Sequence, residues 1–221
     1  MKKIKALLEK QEQVKWLFSG DSITHGALHT YGWRDYTELF SERIRWEMGR
    51  GFDIVIKTGI SGTGTNSPLE NFDTLIGQFK PHVVFLMFGG NDCKNQRTPP
   101  DKFAENLKAI IGKIKNIGGL PVLQTTSPVI AELSPERAPY WDNYMDIVRD
   151  TAASEKVPLI DHNALWKKNI KKQIFWMSDS LHPNQFGHMV LARLICEELG
   201  IYDPASNVCN LFFPGSRAIE K

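Results

Sequence analysis

The chain has 221 residues, of which 42% are hydrophobic and 24% are charged, and its formal net charge at pH 7 is +2. This composition is typical of a globular α/β domain and excludes fibrous repeats and extensive disorder. Basic residues are scattered apart from a short run of lysines at 167–172, so we expect no nucleic-acid partner.

The N-terminal segment, residues 1–10, interrupts its apolar residues with lysine and glutamate too early for the core of a signal peptide. No apolar run elsewhere approaches the length of a membrane span. The three cysteines, Cys93, Cys196 and Cys209, are widely separated and odd in number, which favours reduced thiols over a disulfide framework or a zinc site. We therefore expect a cytoplasmic protein without a membrane span.

Short runs rich in β-branched and aromatic residues predict five strands, at 14–18, 52–57, 83–88, 121–125 and 157–160. Segments with helical periodicity follow the strands, at 35–48, 69–79, 101–117, 136–155 and 184–199. This alternation is typical of a parallel sheet covered by helices on both faces. The sequence therefore predicts the α/β fold class.

No linker divides the chain, so we expect a single domain over residues 1–221, in which 200–221 form a C-terminal extension. The extension surrounds the apolar run 211–213 with proline and glycine. This run has two candidate roles, packing against the domain or contacting a second copy of the chain in a homo-oligomer, and the sequence leaves both open.

Polar, glycine-rich segments follow the first three predicted strands, at 20–26, 59–63 and 89–92. Because the carboxyl ends of parallel strands meet at one edge of the sheet, we expect these segments to lie together. Hydrolysis by a serine requires a nearby base and donors aimed at the developing oxyanion. Ser22 is the candidate nucleophile, and the Ser22 amide, the Gly62 amide and the Asn91 side chain are the candidate donors.

The candidate base is His182, which follows Asp179 by three residues just before the last predicted helix. One turn brings the carboxylate to the imidazole and leaves the other ring nitrogen for Ser22. Asp161 and His162 are the alternative pair. Adjacent residues at a strand end diverge, and Asp161 is better interpreted as a helix N-cap.

In this order the segments resemble those of the SGNH hydrolases, within the GDSL esterase/lipase group. The resemblance rests on Gly-Asp-Ser at 20–22, on Gly62, on Gly-Gly-Asn-Asp at 89–92, and on Asp179 with His182. It implies a three-layer α/β/α, flavodoxin-like fold with a five-stranded parallel sheet in the order 2-1-3-4-5. It also implies an acyl-serine mechanism that needs no metal or other cofactor.

Several neighbouring side chains have two interpretations. Tyr31, Trp33 and Trp176 flank the first and last segments, and they are candidates for a sugar-stacking wall or an acyl slot, with core packing as the alternative. Asp21 and Asp92 are interpreted as structural carboxylates that accept loop amides or cap a helix. His25 and His29 are expected to be surface or packing residues that border the pocket.

We expect a serine carboxylic ester hydrolase that removes short acyl groups, such as acetyl, from a carbohydrate or another small ester. A lipase-like or acyl-thioesterase-like hydrolase is the first alternative, because family membership alone does not identify the substrate. A non-catalytic module that binds acyl groups or glycans is the second.

Overall fold

The computed structural model describes residues 1–210, so the predicted roles of the run 211–213 lie outside the described residues. The strands are β1 (Lys15–Gly20), β2 (Ile54–Lys57), β3 (Val83–Met87), β4 (Leu120–Gln124) and β5 (Leu159–Ile160). They form one parallel sheet in the order β2-β1-β3-β4-β5. The predicted fold class and strand order are confirmed.

Helices cover the sheet, and loops at its edges join them to the strands. In chain order they are α1 (Lys2–Glu9), α2 (Ser22–His25), α3 (Tyr36–Glu42), α4 (Asn66–Glu70), α5 (Phe72–Leu75), α6 (Pro100–Asn116), α7 (Ala138–Ser154), α8 (His162–Lys168), α9 (Gln173–Trp176) and α10 (Gln185–Leu199). A π-helical turn, Arg43–Glu47, extends α3. Short 3-10 turns lie at Gly77–Phe79, Lys94–Gln96, Ala131–Leu133 and Ile170–Lys172.

The sheet has a hydrophobic core on each face because successive strand side chains point to opposite layers. Trp16 and Phe18 of β1 pack with α1, α3 and α10, whereas Leu17 packs with α6 and α7. The ring of Phe18 stacks on that of Phe85 in β3, with ring centroids 4.5 Å apart. Burial on both faces explains why these strands are continuously apolar rather than alternating.

The predicted helices differ in how well they match the structure. α6 begins at Pro100, within one residue of its prediction, and its apolar stripe is buried as expected. The continuous helix predicted at 69–79 is wrong, because Asn71 and Ile76 leave the helical φ/ψ region and break the segment. Ile76 is fully buried there, so its packing into the core overrides the helical pattern.

The C-terminal extension is described as far as Asn210. α10 ends at Leu199 and is capped by Gly200, whose φ of 71° is in the left-handed region that favours glycine. The following residues return along the α10 layer, where Val208 and Cys209 join the core. All three cysteines are buried and free. Within residues 1–210, no helix is both long and apolar enough to cross a membrane.

Candidate active site

Ser22 is the first residue of α2, at the point where the chain leaves β1. Asp21 caps this helix, since its Oδ1 accepts a hydrogen bond of 3.0 Å from the Ile23 amide. Gly20 allows the turn to approach the neighbouring strand β3, because a Cβ at this position would lie 2.7 Å from the carbonyl oxygen of Met87. The turn thus places a nearly buried serine at the carboxyl edge of the sheet.

A chain of hydrogen bonds joins Ser22, His182 and Asp179. The Oγ of Ser22 lies 2.8 Å from Nε2 of His182, and Nδ1 of His182 lies 2.8 Å from Oδ2 of Asp179. An ionised carboxylate can only accept, so Nδ1 carries the proton and Nε2 is free to accept from Ser22. The structure therefore brings together three residues that the sequence places in separate segments.

Asp179 is held by its own loop. Its Oδ1 accepts the backbone N–H groups of Leu181 at 2.8 Å and His182 at 2.7 Å. Partial burial raises the pKa of Asp179, but these two N–H groups and the His182 ring outweigh burial and hold that pKa below its usual value. The carboxylate is therefore ionised at neutral pH and faces the imidazole in a fixed orientation.

The three predicted oxyanion donors lie on neighbouring loops of the same sheet edge. Within residues 1–210, the backbone N–H groups of Ser22 and Gly62 have no hydrogen-bond acceptor. Asn91 donates from Nδ2 to the carbonyl oxygen of Thr63 at 3.0 Å, and the same nitrogen lies 3.5 Å from Oδ2 of Asp21. One N–H of Asn91 is thus bonded and the other is only weakly engaged, so it can turn toward a ligand.

Asp21 caps α2 and Asp92 binds a loop amide, so both carboxylates have the structural roles that the sequence predicts. Asp92 accepts the backbone N–H of Thr65 at 3.0 Å and the Thr65 hydroxyl at 2.7 Å. Asp21 is completely enclosed, and burial raises its pKa to about 7 against the opposing hydrogen bond from Ile23. Neither carboxylate is hydrogen-bonded to a histidine of the described chain.

The sequence model of the GDSL-like lipase/acylhydrolase family matches residues 18–190. The match covers most of the chain and spans Ser22, Gly62, Asn91, Asp179 and His182. The chain belongs to this family. It is a serine carboxylic ester hydrolase.

Two curated relatives and one solved structure share long matches with this GDSL-like hydrolase. The uncharacterized lipoprotein YqeF of Bacillus subtilis (strain 168) is 31% identical over 176 residues, which cover 69% of this chain and 70% of the relative. An acetylxylan esterase of Geobacillus stearothermophilus is 26% identical over 211 residues, covering 84% of this chain and 94% of the relative. The crystal structure of Axe2, an acetylxylan esterase from Geobacillus stearothermophilus, matches with a TM-score of 0.71 at 24% identity, over 86% of this chain and 97% of the other. This structural likeness shows a shared fold.

The GDSL-like hydrolase has a second imidazole against His182. The ring of His29 lies parallel to that of His182, with ring centroids 3.6 Å apart and an angle of 4° between the ring planes. Nδ1 of His29 is 3.5 Å from Oδ2 of Asp179. The sequence indicates only that His29 borders the pocket, because this stack depends on two distant loops meeting, which no local pattern encodes.

His29, Asp179 and His182 are also the one group of potential metal ligands found within residues 1–210, with ligand atoms within 4.8 Å of one another. A metal ion lies close to the ring plane of an imidazole that binds it, and two parallel stacked rings share no such plane. Oδ2 of Asp179 is already bonded to Nδ1 of His182. The arrangement fits a hydrogen-bond network and does not fit a metal ion shared by the two rings.

The structure separates the three aromatic residues predicted for the pocket. Tyr31 is 66% exposed, and its hydroxyl lies 2.9 Å from Oγ of Ser178, next to Asp179. Trp33 is 63% exposed on the same loop. The prediction is wrong for Trp176, which is completely buried and packs edge-on against Trp166. α9 turns this side chain into the core, so it cannot line a substrate pocket.

Proposed function

We propose that this hydrolase forms an acyl-serine intermediate at Ser22, with His182 as general base and Asp179 as the carboxylate that orients it. The continuous hydrogen-bond chain, with both bonds at 2.8 Å, carries this proposal. Solved forms of Geobacillus stearothermophilus Axe2 include catalytic mutants in which a serine, an aspartate or a histidine three positions further on is replaced by alanine. Asp179 and His182 have the same spacing.

The proposed reaction has two half-reactions. As Ser22 Oγ attacks the ester carbonyl carbon, its proton passes to Nε2 of His182, and the imidazolium is stabilised by Asp179. Collapse of the tetrahedral intermediate breaks the bond to the alcohol oxygen, which takes that proton and leaves. A water molecule then gives a proton to His182, attacks the acyl carbon and releases the carboxylic acid, and the proton returns to Ser22.

The Ser22 and Gly62 amides and Nδ2 of Asn91 are the proposed donors to the oxyanion. Two of these N–H groups are without an acceptor in the described chain, and the third has a weakly engaged proton. Donors positioned before the reaction stabilise charge as it develops, without reorganising at that moment. A glycine suits this position of the second loop, because Gly62 has a φ of 80°.

We propose an acetyl group on a carbohydrate as the substrate. The support is the similarity to an acetylxylan esterase over most of both chains. The exposed rings of Tyr31 and Trp33 also lie on the loop that follows α2, and aromatic faces at such a site can stack on a sugar ring. The cytoplasmic location and the homo-oligomer stay predictions, and one relative is named as a lipoprotein.

The test is hydrolysis of p-nitrophenyl esters, from acetate to palmitate, by the wild type and by Ser22→Ala. We expect turnover of short esters by the wild type and a loss on the order of 10⁵–10⁶-fold in the variant. Ser154→Ala, on the surface of α7, is the matched control and should retain the wild-type rate. A serine-reactive phosphonate should label the wild type at Ser22.

Other outcomes would contradict parts of the proposal. Equal rates in the wild type and Ser22→Ala, together with no phosphonate label, would favour the alternative that the protein is a non-catalytic module that binds acyl groups or glycans. Activity that peaks at long chains, or on thioesters, would replace the acetyl proposal with the lipase-like or thioesterase-like alternative. Release of acetate from acetylated xylo-oligosaccharides would support the carbohydrate substrate directly.

A further inference from the structure

The loop between α2 and α3 contacts the segment that carries Asp179 and His182. Two residues of this loop, Leu28 and Tyr31, have φ values of 66° and 54°, in the region that non-glycine residues rarely adopt. Such conformations persist where surrounding contacts require them. Here the contacts include the hydrogen bonds from Thr30 Oγ1 to the Gly26 carbonyl and between the Tyr31 and Ser178 hydroxyls. The loop therefore has a defined shape, and His29 lies at its centre.

The ring of His29 contacts His182, the proposed general base, directly. Its ring covers one face of the His182 ring at a centroid distance of 3.6 Å, and both side chains are largely buried, at 20% and 17% exposure. Serine activation requires that one imidazole plane aligns two hydrogen bonds at once, toward Ser22 and toward Asp179. A flat ring stacked on that plane restricts its rotation, whereas the two hydrogen bonds alone leave the ring free to tilt about the line that joins them.

We infer that His29 is a positioning residue whose stacked ring holds the His182 imidazole in the plane that faces both Ser22 and Asp179. This inference rests on the proposed function of Ser22 and His182. His29 acts through the base and needs no contact with substrate. Burial and the neighbouring His182 lower the pKa of His29, with Asp179 opposing, so a neutral ring faces His182 at neutral pH.

The inference is tested with two variants at position 29 and one control. His29→Ala removes the ring, and we expect kcat to fall about 10-fold or more with KM within about twofold, because misplaced reacting groups lose rate rather than affinity. His29→Phe restores a flat ring without the imidazole nitrogens and should recover most of kcat. His82→Ala removes an exposed histidine at the amino end of β3, on the opposite edge of the sheet, and should leave kcat unchanged.

A second measurement needs no turnover. The proton between Nδ1 of His182 and Asp179 should give a sharp, far-downfield NMR signal in the wild type and in His29→Phe, and a broadened or lost signal in His29→Ala. Thermal unfolding of each variant checks that the fold is retained. A His29→Ala protein with wild-type kcat and an unchanged signal would overturn the inference, as would a His29→Phe protein as slow as His29→Ala.

The proposed function can fail separately. If Ser22→Ala retained activity, the acyl-serine mechanism would be wrong, whereas the NMR signal would still show whether His29 orders the His182 ring. If Ser22→Ala were inactive and both variants at position 29 behaved as the wild type, the mechanism would stand and the role of His29 would be rejected.

Discussion

Two aspartate–histidine pairs follow one another in the last third of the chain, and their side chains make different contacts. In the first pair, Asp161 caps α8 through the Ala164 amide at 3.0 Å and binds Arg149 at 2.7 Å. Its neighbour His162 points into the core, with Nε2 3.0 Å from Oε1 of Gln124. The aspartate and histidine of this pair therefore bind different partners.

In the second pair, Asp179 and His182 are bonded to each other. The three-residue spacing lets a tight turn bring the carboxylate back to the ring, and the turn is closed by the hydrogen bond from the Ser178 amide to the His182 carbonyl. Adjacent residues at the start of a helix cannot do this, because their side chains point in different directions. Spacing and the local turn thus decide which pair can serve as base and orienting carboxylate.

Burial separates the pairs further. Complete burial lowers the pKa of His162 to about 3, against the opposing charge of Asp161. His162 is therefore neutral at working pH, and its ring is a packing and hydrogen-bonding group. His182 keeps 17% of its side chain exposed at the sheet edge, beside Ser22. The same two residue types give a structural pair in the core and a candidate catalytic pair at the edge.

The largest expected effect distinguishes the two histidines. His182→Ala should lower kcat/KM for a short ester on the order of 10⁴–10⁶-fold, because the proposed general base is lost. His162→Gln keeps a donor toward Gln124 and should stay within about threefold of the wild type, measured well below its unfolding temperature. A large loss in His162→Gln with an active His182→Ala would reverse the assignment of the base.

Substitutions of the two aspartates should differ in their effect on kcat by almost as much. Asp179→Asn should lower kcat about 10⁴-fold. A neutral amide that faces Nδ1 no longer fixes the tautomer of His182 and no longer stabilises its imidazolium form. Asp161→Asn keeps a side-chain oxygen for the α8 cap and weakens the ion pair with Arg149, so we expect near-normal kcat and a loss of about 1 kcal/mol in unfolding free energy. Steady-state kinetics and urea unfolding of both variants measure this contrast, and a fully active Asp179→Asn would contradict it.

Much of the fold is predictable from the sequence because its signals are local. The strands β1, β3 and β4 are short apolar runs buried on both faces, and Asp161 is recognisable as an N-cap from its position before a helical segment, which the structure confirms. The sequence does not predict the break at Asn71 and Ile76, where long-range packing of Ile76 overrides helical periodicity.

In the candidate site, too, some features are predictable from the sequence and others depend on contacts that the sequence does not show. Ser22, Asn91 and His182 lie in loops that parallel-sheet topology brings to one edge, so their proximity follows from the order of the strands. The burial of Trp176 follows from α9, a four-residue helix too short to show a periodic pattern. The stacking of His29 depends on left-handed turns at Leu28 and Tyr31, which the residue types at these positions do not signal.

The smallest expected effect is in stability and concerns the buried histidine. The pKa of His162 is lowered in the folded state, so below its unfolded pKa of about 6.5 protons bind the unfolded chain more readily than the folded one. Its contribution is therefore complete above pH 6.5 and is lost progressively as the pH falls toward 3. Urea unfolding at pH 7, 6 and 5 should show a shallower decline for His162→Gln than for the wild type, whereas Ser154→Ala, which removes no titratable group, should keep the wild-type slope. Identical slopes in the wild type and His162→Gln would mean that burial of His162 does not set the acid sensitivity of the fold, and the contrast between the two pairs would then rest on hydrogen-bond geometry alone.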